Sequence, residues 1–404
     1  MISLIGKAPN AAKWFGPMAE RVLITGARAA AALDLARDFA AAGWEVHLAD
    51  CSPARIARWS RIPTAVHRYA SPVFDRAGFR DDIARLVSQL DPALVVPTCE
   101  EVFHLAAPPL EHVLQNRLFA PRLALLRRLH DKHAFAAACR EWGLPVPDTH
   151  ILEHPSDLAQ FAAASVDWVF KPPFSRFGES ALVGPLPARL AQCVPSPTQP
   201  LLAQQRIRGV ETCFYGVAHK GALVGFCAYS SQWRMGGGAS FAFEPLAGKR
   251  EETLRNLART LVQRSGITGQ FAADVIFDAD ETPWLIECNP RATSGVHLLT
   301  GNGDLARAIA HGTPIPASRA PQPRHLAPAM VLFGLPLAIR TGRVAQWRRA
   351  MTNSADAISR PGDRRPLAGA LVDAAGFALT GLRHGISTTS ASTRDIAWNG
   401  EDLG

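Results

Sequence analysis

The chain lacks several features that would settle its class at once. Its seven cysteines form no C-x-x-C pair and no zinc-like spacing, so neither a redox dithiol nor a structural zinc site is written into it. Cys51, Cys99, Cys139, Cys193, Cys213, Cys227 and Cys288 stand in apolar or strand-like surroundings, which reads as buried free thiols in a reducing compartment. No apolar run reaches the roughly 18–20 residues of a membrane helix. The first residues carry Lys7 and Lys13 without a continuous apolar core before a small-residue cleavage site, so they do not read as a secretion signal. The expected location is the cytoplasm, with no membrane span. Basic runs of about five or six residues are also missing. The net charge of +8 and pI near 9.4 therefore do not argue for a nucleic-acid partner. Arg127-Arg128, Arg348-Arg349 and Arg364-Arg365 read as solvated faces or as partners of carboxylates and phosphates. No internal repeat is visible, and no G-x-G-x-x-G occurs.

What is present is ample core. At 404 residues, 48% hydrophobic and 19% charged, the chain suits two or three domains of roughly 100–200 residues each. Residues 1–20 read as an extension, and Met18 is an alternative start. "RVLITGARAAAALDLARDFAAAGWEVHLAD" reads as strand, turn, helix and strand, the βαβ opening of a doubly wound sheet. "ALVVPTC" (Ala93 to Cys99) is another buried strand. Gly26 alone is a poor phosphate loop, so a scaffold or part of a substrate pocket is the better reading of this region than a dinucleotide site. Asp50 at a strand end could hold a ribose, although Asp is common there for turn reasons. Glu100-Glu101 follow a strand carboxyl end, where open α/β sheets place ligands; a helix start favoured by the dipole fits them equally.

Further along, Asp131 can cap a helix running to Trp142, which Gly143 stops. "WVFKPPFSRFGES" is a strand ending in Lys171, then a loop with Ser175, Arg176 and Gly178. "LLAQQRIRGVETCFYGVAHKGALVGFCAYSS" is three strands turned at Gly209 and Gly221, and a glycine loop (Gly236 to Gly238) leads into another. "KREETLRNLARTLVQRSG" is an amphipathic helix, and "GQFAADVIFDADETPWLIECNPR" a hairpin turned at Asp278 to Thr282. Beyond about residue 313 the texture changes. A proline-rich connector is followed by two apolar segments, "AMVLFGLPLAIRTG" and "LAGALVDAAGFALTGL", which are expected to pack on the body of the protein rather than on a membrane.

The chemistry concentrates in "LIECNPRATSGVH". Side chains of a strand repeat every two residues, so Glu287, Asn289 and Arg291 emerge on one face, with Ile286 and Cys288 turned into apolar packing. Asp274 lies on the other strand of the hairpin, within cross-strand reach of Glu287. Two carboxylates and an amide oxygen are a hard ligand set that suits Mg²⁺; Mn²⁺ is an alternative. Arg291 offers a planar fork to a phosphate or carboxylate. Lys171 adds a point charge, and the Ser175–Gly178 loop adds backbone donors. These are the parts that phosphoryl chemistry needs: positioning, and neutralisation of the transferred group.

With those residues in view, the chain resembles the ATP-grasp superfamily from about Arg21 to Gly312. "IECNPRATSG" resembles the family's E-x-N-x-R ending; Asp131-Lys132 and "KPPFSRFGES" resemble its lysine strands and phosphate-covering loop; "QQRIRGVE" resembles its hinge and ribose segment. The resemblance implies an α/β architecture. A Rossmann-like preceding domain (21–125) leads into two α+β grasp subdomains (126–200 and 201–312), with a C-terminal region (313–404) of unassigned role. It implies that Lys132 and Lys171 contact the phosphates of ATP, and that Gln204, Gln205 and Ile207 meet adenine. Glu211 would hold the ribose, Ser175 and Gly178 would cover the phosphates, and Asp274, Glu287 and Asn289 would hold Mg²⁺. Arg291, Lys171 and Arg176 are the catalytic candidates. Gln204 departs from the acidic residue frequent at the first hinge position, though its amide oxygen still accepts.

The implied activity is ADP-forming activation of a carboxylate as an acyl phosphate, for attack by an amine or similar nucleophile. No protein nucleophile is needed, so the absence of a catalytic Ser or Cys motif fits. The segments 174–180 and 235–239 are candidate lids. The partners are then small carboxylate and amine substrates, with a homodimer left open. A nucleotide-binding module without turnover, a kinase and, more distantly, a dehydrogenase are the alternatives. Glu100, Arg176, Arg234, Ser294 and His297 are candidate substrate determinants, with a structural role the simpler reading of His297.

Overall fold

The structure is a computed structural model and describes residues 19–176, 180–234 and 238–403. The chain opens with a parallel sheet of four strands in the order β3-β2-β1-β4: β1 (Arg21–Thr25), β2 (Glu45–Asp50), β3 (Ala65–Arg68) and β4 (Leu94–Val96). Val22, Leu23 and Ile24 are wholly buried, as expected of a central parallel strand covered on both faces. Gly26 (φ +71°) makes the turn into the helix Ala30–Ala41; a Cβ there would lie 2.5 Å from Thr98 Oγ1. β4 is shorter than the run Ala93 to Cys99 suggests. Pro97 has no N–H to give a ladder, and the amides of Thr98 and Cys99 donate instead to Glu101 Oε1 at 3.1 and 3.3 Å.

A second, antiparallel sheet has the order β5-β8-β6-β7, from β5 (Thr149–Leu152), β6 (Trp168–Lys171), β7 (Leu182–Val183) and β8 (Leu201–Gln205). It has its own small core around Leu152, Phe161, Phe170 and Ala203. The third sheet holds seven strands in the order β13-β12-β9-β10-β11-β14-β15. These are β9 (Val210–His219), β10 (Ala222–Ser230), β11 (Ala242–Pro245), β12 (Gly269–Phe277), β13 (Pro283–Asn289), β14 (Arg324–His325) and β15 (Ala355–Asp356). The helix Lys249–Ser265 lies against β10 and buries Leu254, Ala258, Leu261 and Val262. That spacing is the apolar stripe of an amphipathic helix, and Gly266 (φ +63°) stops it.

The parallel sheet and the seven-stranded sheet share one continuous core, in which Leu35 and Phe39 join Tyr215, Val217, Leu298 and Ile309. A buried ionic hub fastens the same junction. Asp34, on the helix Ala30–Ala41, meets His297 Nδ1 at 2.8 Å, Arg360 at 2.8 Å and Arg37 at 3.0 Å. Asp38, one turn on, accepts from the amides of Gly301, Gly303 and Ala306.

Residues beyond 312 belong to this body in part. β14 and β15 extend the seven-stranded sheet, and Met330 and Ala338 pack with Trp233 and Phe241. The expectation that both apolar segments pack inward needs correcting, because Val331, Leu332, Phe333, Ile339, Leu371, Val372, Leu379 and Leu382 are exposed. All seven cysteines are free; Cys139, Cys227 and Cys288 are buried and the others half-buried. Among the described residues no helix is long and apolar enough to cross a membrane.

Candidate functional site

The hairpin of β12 and β13 builds the acidic side. Asp274 pairs with Glu287 across the ladder and Ala272 with Asn289, so the three ligand candidates share one face. The turn is tied by the Asp278 carboxylate, which accepts from the amides of Asp280 and Thr282. Strict alternation fails at one position. Val275 pairs with Leu285, leaving Ile286 as the extra residue of a bulge. Leu285 and Cys288 enter the core, and Ile286 is only half-buried.

Burial and the neighbouring Glu287 raise the proton affinity of Asp274, whose Oδ1 accepts from Cys213 Sγ at 2.9 Å. Burial would raise Glu287 as well, but Lys132 and Lys171 overcome it and hold that carboxylate below its usual range. Like charges crowded this way are relieved by a cation. Among the described residues no three His, Cys, Asp or Glu side chains cluster. The pair plus Asn289 is nevertheless a sufficient set for Mg²⁺, which takes one or two carboxylates and completes its shell with water and phosphate.

The basic side comes from β6 of the small sheet and from a helix packed against β13. Lys132 is the first residue of the helix Lys132–Glu141, whose N-terminus Asp131 caps through the amides of His133 and Ala134. Its Nζ lies 3.2 Å from Glu287 Oε2 and donates to the Ser175 carbonyl at 2.8 Å. Lys171 ends β6, is buried, and has its pKa lowered by burial to about 8, against the pull of Glu287.

The loop after Lys171 is pinned by Glu100, just after β4, and by residues 398 and 399. Arg176 Nε donates to Glu100 at 2.6 and 2.7 Å, NH2 to the Trp398 carbonyl at 2.6 Å, and NH1 to Asn399 Oδ1 at 2.8 Å. Glu100 also accepts from the Trp398 amide at 3.2 Å. Burial opposes ionisation of Glu100, yet Arg176 and its basic neighbours bring it down to about 2. Trp398 stacks on Phe103 and meets Phe174 edge-on. His130, adjacent to them, is kept neutral by burial, its pKa lowered to about 4. Arg291 reaches Asn289 Oδ1 at 3.3 Å and lies 3.7 Å from Glu100, and its buried Nε has no hydrogen-bond partner among the described residues. Gly178 lies outside the described residues, as do parts of both lid segments, 177–179 and 235–237.

On the hinge side, Gln204 is buried at the end of β8, its Nε2 near Thr149 Oγ1 (3.3 Å) and the Ile286 carbonyl (3.4 Å). Gln205 is exposed and Ile207 half-buried in the link to β9. Glu211, exposed at the start of β9, is ion-paired with Arg234. Other candidates lie apart from this cleft or are already engaged. Asp50 accepts from Arg28 and from the Ser52 amide, which is the turn role rather than a ribose site. Glu101 is wholly buried and bonded to Thr25 and the Thr98 amide. His297 is buried in the Asp34 hub and stacked on Phe243. Ser294 accepts from the His297 amide, and a Cβ on Gly295 would lie 2.2 Å from that of Tyr215. Sequence reasoning missed His130, Trp398 and Asn399; nothing local marks them, because their partners are distant in the chain.

Residues 129–295 match the family model described as an ATP-grasp domain. The chain carries an ATP-grasp domain. Its lysines, acidic hairpin and pinned loop all fall within that match. Solved structures with the same fold include the L-amino acid ligase of Bacillus licheniformis (16% identity, TM-score 0.56, 74% of this chain and 76% of that one). Another is an N5-carboxyaminoimidazole synthase of Aspergillus clavatus, bound to ADP and 5-aminoimidazole ribonucleotide (16%, 0.59, 76% and 80%). A third is the biotin carboxylase domain of the Hydrogenobacter thermophilus 2-oxoglutarate carboxylase, with MgADP, ADP and bicarbonate (15%, 0.59, 76% and 73%). At these identities the likeness establishes the fold. A search of curated proteins finds no match.

Proposed function

We propose that the chain is an ADP-forming ligase that activates a small carboxylate as an acyl phosphate and joins it to an amine. The observation that carries this reading is the meeting of Lys132 and Lys171 with Glu287 and Asp274, cations from a helix start and from β6 brought to the acids of β12 and β13. The L-amino acid ligase, and the biotin carboxylase domain in complex with MgADP and bicarbonate, support it.

In this reading Lys132 and Lys171 hold the ATP phosphates, with Gln204, Gln205 and Ile207 along adenine and Glu211 at the ribose. Asp274, Glu287 and Asn289 hold Mg²⁺ or Mn²⁺, which supplies charge neutralisation at the phosphates. A substrate carboxylate oxygen attacks the γ-phosphorus, and the bond to the bridging oxygen of ADP breaks. The amine then adds to the acyl carbon, phosphate leaves and the nitrogen loses a proton. Arg291, whose Nε has no partner among the described residues, steadies the transferred group, and Arg176 holds the covering loop closed against water.

Incubation with ATP, Mg²⁺ and pooled carboxylates and amines should release ADP and phosphate together with a condensed product. Release of AMP and pyrophosphate would refute the reading, and a stable phosphorylated product formed without any amine would make the chain a kinase.

A further inference from the structure

The helix Arg365–His384 turns its apolar side outward. Its buried residues are small or polar: Pro366, Gly369, Asp373 and Gly381. A Cβ on Gly369 would lie 2.4 Å from the Arg55 carbonyl, and Asp373 accepts from the Ile56 amide at 2.9 Å. The large residues face away, with Leu382 82% exposed and Leu371, Val372 and Leu379 all above 40%. Ala368 and Ala375 are exposed on the same side. On a helical wheel these six occupy an arc of roughly 100°, a stripe about 21 Å long. The turn Ala327–Ala329 packs on this helix and leads directly into exposed Val331, Leu332 and Phe333. More than half of the exposed large apolar side chains of the described residues fall between Val331 and Ile386.

The charges around this face have one sign. Arg364, Arg365 and Arg383 project on the outward half of the helix, while its single acid, Asp373, is buried. No acidic residue occurs between Asp304 and Asp356, a stretch that carries exposed Arg340, Arg348 and Arg349. A second copy of the chain fits this poorly. Paired antiparallel, two such helices set Arg364 and Arg365 against Arg383; paired parallel, they set each arginine against itself. A surface of negative charge over an apolar interior satisfies both features. We propose that this face docks on an anionic phospholipid bilayer, the helix lying in the interface plane with its leucines at the acyl boundary and its arginines among the headgroups. The outward leucines are not among the residues assigned to the ATP cleft, so the proposal stands whatever the substrates are.

The test is flotation of the full-length protein with vesicles of phosphatidylcholine alone and of equal parts phosphatidylcholine and phosphatidylglycerol. Binding is expected on the second only, and high salt should release it. The double variant Leu379→Glu/Leu382→Glu should lose binding by at least about tenfold. The triple variant Arg364→Gln/Arg365→Gln/Arg383→Gln should lose on the order of 100-fold, at about fivefold per arginine. Both sets lie on the surface and should leave the circular dichroism and thermal midpoint unchanged. Failure to float on either vesicle, equal binding to both, or flotation unaffected by the Leu→Glu changes would each overturn the proposal. So would a dimer that the double variant dissolves, which would make a second copy the occupant.

Discussion

Lys171 sets a pH limit. Its folded pKa of about 8 lies below the ordinary 10.5, so between those values the empty cleft holds a neutral amine. For stability, the protonated lysine is a cost that is full below about pH 8 and fades as pH rises toward 10.5. For a phosphate ligand the sign reverses, since the protonated form is the one that binds. The Michaelis constant for ATP should be flat to about pH 8 and then climb, approaching tenfold per pH unit. Lys171→Arg, which stays charged, should abolish the climb; a wild-type profile flat to pH 9.5 would contradict the role. Glu287→Gln keeps the shape of the side chain but removes one acidic ligand and the charge that supports both lysines. ATP turnover should fall by roughly 10²–10³-fold, with the fold intact by circular dichroism. The face shared by Glu287 and Asn289 was legible because strand periodicity is fixed by covalent geometry. The bulge at Ile286 was not, because a bulge is a property of two strands and appears only once Val275 is seen opposite Leu285.

Among the elements, the covering loop and the C-terminal tail act as one piece. Arg176→Lys keeps a cation beside Glu100 but cannot also reach the Trp398 carbonyl and Asn399. The Michaelis constant for ATP should rise several-fold with little change in thermal midpoint; an unchanged constant would show that the tail contact is only structural. Most elements could be drawn from the sequence because their signals are local. The Asp131 cap, Gly266 after an amphipathic run, and the Asp278 turn each act within a few residues. The union of Arg176, Glu100 and Trp398 had no such signal. It joins three segments, two of them nearly 300 residues apart, and Arg176 by itself reads like any loop arginine.

For the whole molecule, the Asp34 hub is the decisive buried charge. His297, Arg360 and Arg37 hold Asp34 below its ordinary 3.8 despite complete burial. Asp34→Asn would remove the anion that His297, Arg360 and Arg37 share, leaving only Arg37 with another acid, Asp363, and a loss of about 3–5 kcal/mol is expected in denaturant unfolding. A depressed carboxylate contributes fully above its unfolded pKa. The difference between the two proteins should thus stay constant down to about pH 4 and shrink below it. A constant difference at pH 3 would assign the effect to packing instead. The hub and the shared core also decide which part of the molecule can swing. The parallel and seven-stranded sheets are soldered together, whereas the small antiparallel sheet keeps its core to itself. It joins the body through two short links, one holding Pro145 and Pro147 and the other Gly209, and through the Arg176 contacts of its loop. That sheet is the candidate jaw. Labels placed on it and on the body should change their separation when nucleotide enters, while labels on the two fused sheets should keep theirs.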